Sequence, residues 1–121
     1  RRQRQMCIRD SMNVIGDVAG KDCILFDDMI DTAGSICNAA KAIVEVGGAT
    51  SVYACASHGV LSGPALERLS ASVIKEVALL NTIPESMGEG CDKIKYLSVA
   101  PMFAEAIERI YQEISIAKLF N

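Results

Sequence analysis

The chain has 121 residues, half of them hydrophobic and 22% charged, which fits one domain with its own core and excludes both two domains and a disordered chain. The formal net charge of −3 divides unevenly: residues 1–10 hold four Arg against one Asp, while the body is acidic, so a nucleic-acid surface is not expected. No apolar run approaches the roughly 18 residues of a membrane span and no signal-peptide pattern is present; with five cysteines in no CxxC spacing, this points to reduced thiols in a cytoplasmic protein, without a zinc site or disulfide framework.

In chain order, Cys23-Ile24-Leu25-Phe26 is a near-continuous apolar run and reads as a strand buried on both faces, ending at Asp27-Asp28. Thr32 to Val46 reads as a helix. Ile36, Ala39, Ala40, Ile43 and Val46 recur at three- and four-residue spacing, and Gly47-Gly48 ends it. Ser51 to Ala56 is the second strand. Pro64 introduces a short helix from Ala65 to Ala71. Ile74 to Leu80 contains a third strand, placed at Glu76 to Leu80, and Pro84 to Gly90 is loop. Ile94 to Val99 is a fourth strand, and Pro101 opens a long helix with Met102, Phe103, Ala106, Ile107 and Ile110 along one side. Strands alternating with helices predict a parallel sheet with helices packed on it, in one α/β unit.

The chemistry is concentrated where the first strand gives way to its helix. In open parallel sheets ligands bind outside the carboxyl ends of the strands. Asp27 and Asp28 stand there, and ionised carboxylates accept hydrogen bonds from vicinal sugar hydroxyls or help hold a divalent cation. Asp31-Thr32-Ala33-Gly34-Ser35 follows at the helix start. Its small residues admit backbone N–H groups to a phosphate, Thr32 and Ser35 add hydroxyls, and the helix N-terminus favours an anion. Acids for a ribose and a small-residue cradle for a phosphate compose one site for phosphorylated ribose. The plainer alternative is that Asp31 or Thr32 caps the helix and the other acids are solvated.

Asp27 to Ser35 resembles the phosphoribosyl-pyrophosphate fingerprint of type I phosphoribosyltransferases and their relatives. Met12 to Val18, Ser57-His58-Gly59-Val60-Leu61-Ser62-Gly63-Pro64-Ala65, Asn81-Thr82-Ile83-Pro84, Leu97-Ser98-Val99-Ala100-Pro101, Phe103 to Ile107 and Leu119-Phe120 resemble the ribose-phosphate pyrophosphokinase family in particular. The resemblance implies a type I phosphoribosyltransferase-like parallel sheet with flanking helices, incomplete at its N-terminal side and with an exposed edge. Residues 12–121 would be a partial C-terminal domain. Residues 1–11 form a non-matching or artefactual head, in which Arg1-Arg2 resembles the end of the family's catalytic Lys-Arg-Arg loop and marks Arg2 as the catalytic candidate.

The family transfers the β,γ-diphosphoryl group of ATP to the anomeric hydroxyl of ribose 5-phosphate, giving phosphoribosyl pyrophosphate and AMP. By that resemblance, Asp27, Asp28, Asp31, Thr32, Ala33, Gly34 and Ser35 hold ribose 5-phosphate. Mg2+ and cationic side chains stabilise the transferred group, with no protein metal-ligand set assigned in this chain. The partners implied are ribose 5-phosphate, ATP and further copies in a homo-oligomer. The parts that supply most of the ATP pocket are absent, so the chain alone is expected to be inactive. Ser115 and Phe120 match an allosteric nucleotide region, although Ala117 stands where a second Ser is usual. His58, the single histidine, reads as structural or as an oligomer contact. Two other functions share the fingerprint: a phosphoribosyltransferase, which would need a nucleobase hood that no segment here supplies, and a non-catalytic regulatory subunit, which would be expected to carry an altered loop.

Overall fold

The computed structural model describes residues 16–120, apart from the side chains of Lys118 and Phe120. The head at residues 1–11, Arg2 included, lies outside the described residues. Four strands, β1 (Asp22–Ile30), β2 (Ser51–Gly59), β3 (Ile74–Leu80) and β4 (Ile94–Leu97), form one sheet in the order β1-β2-β3-β4. All three pairings are parallel. Three α-helices accompany them: α1 (Gly34–Glu45), α2 (Ala65–Ala71) and α3 (Ala100–Tyr111). The expected α/β fold with a parallel sheet is therefore present.

Each element has a local cause. β2 and β3 are the inner strands, and Val52, Ala54, Ile74, Val77 and Leu79 are all but sealed from solvent. α1 buries Ile36, Ala39, Ala40 and Ala42 along one stripe. It stops where Gly48 takes φ 76° and the Gly47 and Gly48 amides fold back onto the Ala42 and Val44 carbonyls, a closure that suits glycine. The segment expected to be plain loop contains a short 3-10 turn at Glu85–Gly88. Gly88 is needed there, since an added Cβ would stand 2.6 Å from the Tyr96 hydroxyl.

A sheet whose order runs one way, joined by the right-handed crossovers that parallel strands adopt, receives its connecting helices on one face. The register shows the result. Leu25, Ala54, Val77 and Ile94 lie side by side, as do Ala56, Leu79 and Tyr96, and these side chains meet Ile36, Ala40 and Leu69 from α1 and α2 in a single core. The opposite face carries Ile24, Phe26 and Leu97, each more than half exposed. The expectation that β1 is buried on both faces is thus corrected: it is an edge strand covered on one side only. α3 likewise buries no residue among those described. Its apolar side, with Phe103, Ile107 and Ile110, faces solvent.

Candidate functional site

β1 does not end at the acids. It runs on to Ile30, because Met29 and Ile30 pair with His58 and Gly59 of β2. Asp27 and Asp28 therefore lie within the strand, near its end, rather than beyond it. Asp27 is half-buried and Asp28 exposed. The Asp27 carboxylate accepts the Asp28 amide at 2.8 Å.

The turn that follows is compact. Asp31, Thr32 and Ser35 are exposed, Ala33 is buried and Gly34 half-buried. Ala33 occupies the N-cap position in the left-handed region, φ 66°, and α1 has no side-chain cap and no acidic residue in its first turn. The capping alternative is thereby answered: neither Asp31 nor Thr32 caps the helix. The first-turn amides of α1 retain their affinity for an acceptor.

Two residues outside the fingerprint hold this turn. The Ser62 amide donates to the Asp31 carbonyl at 2.9 Å, and the Ser62 hydroxyl donates to the Asp31 carboxylate. Arg68 Nη1 donates to the Thr32 carbonyl at 3.1 Å. Gly34 lies beside this contact, and a Cβ there would stand 3.1 Å from that nitrogen. In the sequence, Ser62-Gly63-Pro64 could touch an anion but is explained by a turn and helix start, and Arg68 draws no reading. A lone arginine on a short helix gives no signal of a contact 36 residues upstream.

Burial pushes the thiol of Cys37, one turn into α1, up, against the opposing influence of a Ser72 hydrogen bond and the Arg68 and Lys93 charges. His58 sits at the end of β2 beside Met29 and is engaged through Nδ1 with Thr82 at 2.6 Å, in keeping with a structural role. Ser115 follows α3 and has local partners: its hydroxyl accepts the Ala117 amide and its carbonyl accepts Arg109 Nη1, each at 3.0 Å. Phe120 closes a 3-10 turn at Ala117–Phe120. Cys23, Cys37, Cys55 and Cys91 are free thiols. Among the described residues no helix is long and apolar enough to cross a membrane.

Fold and turn together define a class: a parallel α/β domain with its acids, hydroxyls and uncapped helix amides gathered at the carboxyl end of an edge strand. The chain belongs to the ribose-phosphate pyrophosphokinase family; the family model described as phosphoribosyl synthetase-associated domain matches residues 4–121. It is 61% identical over 114 residues to a ribose-phosphate pyrophosphokinase of Clostridium tetani, covering 94% of this chain and 35% of that protein. It is 54% identical to that of Clostridium perfringens over 121 residues, covering 100% of this chain and 38% of the relative. Among solved structures it is similar to phosphoribosylpyrophosphate synthetase from Mycobacterium smegmatis, with a TM-score of 0.79 and 42% identity over 84% of this chain and 34% of that one. The chain thus spans little more than a third of the length of these relatives.

Proposed function

We propose that this chain supplies the ribose 5-phosphate site of a ribose-phosphate diphosphokinase, which moves the diphosphoryl group of ATP to the anomeric hydroxyl of ribose 5-phosphate and releases AMP. The observation that carries the reading is the uncapped start of α1 at a left-handed Ala33, set between Asp31 and Ser35. Amides with no side-chain acceptor suit a phosphate. Carboxylates on the preceding strand suit the sugar hydroxyls.

In this reading Thr32 to Ser35 bind the 5-phosphate through backbone amides and hydroxyls. Asp27 takes the ribose hydroxyls, with Asp28 beside it. Their work is orientation: a sugar fixed at both ends presents its anomeric oxygen in one direction, which converts an encounter into an intramolecular step. The carboxylate oxygens of Asp27, Asp28 and Asp31 are hard donors of the kind Mg2+ takes. No three His, Cys, Asp or Glu side chains among the described residues cluster closely enough to enclose an ion, so Mg2+ would be held by carboxylate together with substrate oxygens. Bound there, it would neutralise charge on the transferring phosphates. The ATP pocket belongs, in this reading, to the rest of the relatives' length, and the chain alone binds sugar phosphate without turning it over.

Titration of ribose 5-phosphate into the purified chain with Mg2+ present, followed by NMR, tests the site. Saturable shifts centred on residues 27–35 are expected, weakened about tenfold or more in Asp27→Asn, the scale of one charge-assisted hydrogen bond. A folded chain that shows no shifts overturns the reading.

A further inference from the structure

The hydrogen bonds that Ser62 and Arg68 make fall on consecutive carbonyls, those of Asp31 and Thr32. None of the described peptide bonds is cis. In a planar trans peptide the carbonyl and the N–H of the next residue point in opposite directions. An Asp31 carbonyl turned toward Ser62 therefore turns the Thr32 amide away from it. A Thr32 carbonyl turned toward Arg68 turns the Ala33 amide away in the same manner. Ala33 is left-handed, one of the two conformations from which anion-accepting backbone nests are built.

We infer that Ser62 and Arg68 are positioning residues, which aim the Thr32 and Ala33 amides at the phosphate of the bound sugar without touching it. The inference rests on the ribose 5-phosphate reading above and adds residues to it from the β2–α2 segment. Three features converge on it. Ser62 grips Asp31 twice, by its amide and its hydroxyl. The Leu61 amide donates to the Ile30 carbonyl at 3.1 Å and extends the same contact by one residue. The Arg68 guanidinium lies close against Gly34, where an added Cβ would stand 3.1 Å from Nη1.

The test compares the parent chain with Arg68→Gln, Arg68→Lys and Ser62→Ala by two readouts. The first is the 15N order parameters of the Thr32 and Ala33 amides without ligand; the second is the NMR-derived Kd for ribose 5-phosphate. Arg68→Gln is expected to lower the order parameters of those two amides while the β2 and β3 amides keep theirs, and to raise Kd about tenfold. Arg68→Lys, which keeps one donor to the Thr32 carbonyl, should recover part of both, and Ser62→Ala should shift both in the same direction by less. Weakened binding with unchanged Thr32 and Ala33 order parameters would overturn the inference, because the guanidinium would then be acting on the ligand itself. So would a Kd for Arg68→Gln equal to the parent's, which would leave the ribose 5-phosphate reading intact. If the parent chain binds no ribose 5-phosphate, that reading falls and this inference with it. Should Arg68→Gln not fold, Arg68→Lys and Ser62→Ala decide by the same two readouts.

Discussion

His58 and Thr82 are joined end to end: imidazole Nδ1 lies 2.6 Å from the threonine hydroxyl, and that hydroxyl donates its own proton to the Ser57 carbonyl at 2.9 Å. A hydroxyl has one proton to give, so the Nδ1 nitrogen must donate. The neutral ring is thereby held as the Nδ1–H tautomer, leaving Nε2 as the acceptor. Thr82→Val is expected to release this preference, visible in the imidazole 15N shifts, and to destabilise the chain by about 1 kcal/mol, the usual worth of one hydrogen bond. An unchanged tautomer in the valine variant would refute the assignment.

Ala33 sets a conformational demand that two substitutions separate. Its φ of 66° costs an L-residue roughly 1–2 kcal/mol, and the side chain is 5% exposed. Ala33→Val adds a β-branch to that backbone and volume to a filled space, and should cost at least about 2 kcal/mol in urea denaturation. Ala33→Gly relieves the backbone while giving up a buried methyl, and should fall within about 1 kcal/mol of the parent. Equal destabilisation by the two would show that the left-handed turn is not the constraint.

Tyr96 carries a hydroxyl that is buried without a hydrogen-bond partner. Burial pushes its phenol up, the Glu85 carboxylate pushes it further, and the Gly88 backbone nearby pulls weakly the other way, short of a full hydrogen bond. The folded state therefore keeps the proton at a pH where the unfolded chain, near 10, gives it up. Stability from this residue is unaffected below that value and is lost as pH rises above it. Tyr96→Phe should flatten the alkaline side of the stability profile and gain up to about 1 kcal/mol at neutral pH by removing an orphaned hydroxyl. Glu85→Gln should lower the phenol titration, followed by ultraviolet absorbance. A Phe variant that loses stability at neutral pH would mean the hydroxyl has a partner after all.

Much of this was legible in the sequence. The apolar runs at β2 and β3, the three-and-four spacing of α1 and the double glycine after it each report a strong local preference that the fold obeys. Three features were not legible, each because the deciding interaction is distant. Two aspartates argue for the end of a strand, yet β1 continues through them because β2 offers partners as far as Gly59; pairing overrides propensity. Apolar character at Ile24 and Phe26 reads as burial, but hydrophobicity records a preference and says nothing of whether a neighbour is there to satisfy it. In the site, the acids, the small residues and the helix start were visible, whereas Arg68 was not, since only the folded chain brings it to Thr32.

Every described strand pairs with the next one along the chain, so the sheet can grow one strand at a time, each step closing a single crossover connection. The Asp31 turn is an exception to this orderly growth. Its residues arrive with the first strand and helix, but the groups that clamp it, Ser62 and Arg68, come with the unit after. A nascent chain interrupted beyond α1 would carry the whole fingerprint and still lack the contacts that give it shape: the motif is written in one segment and made rigid by the next.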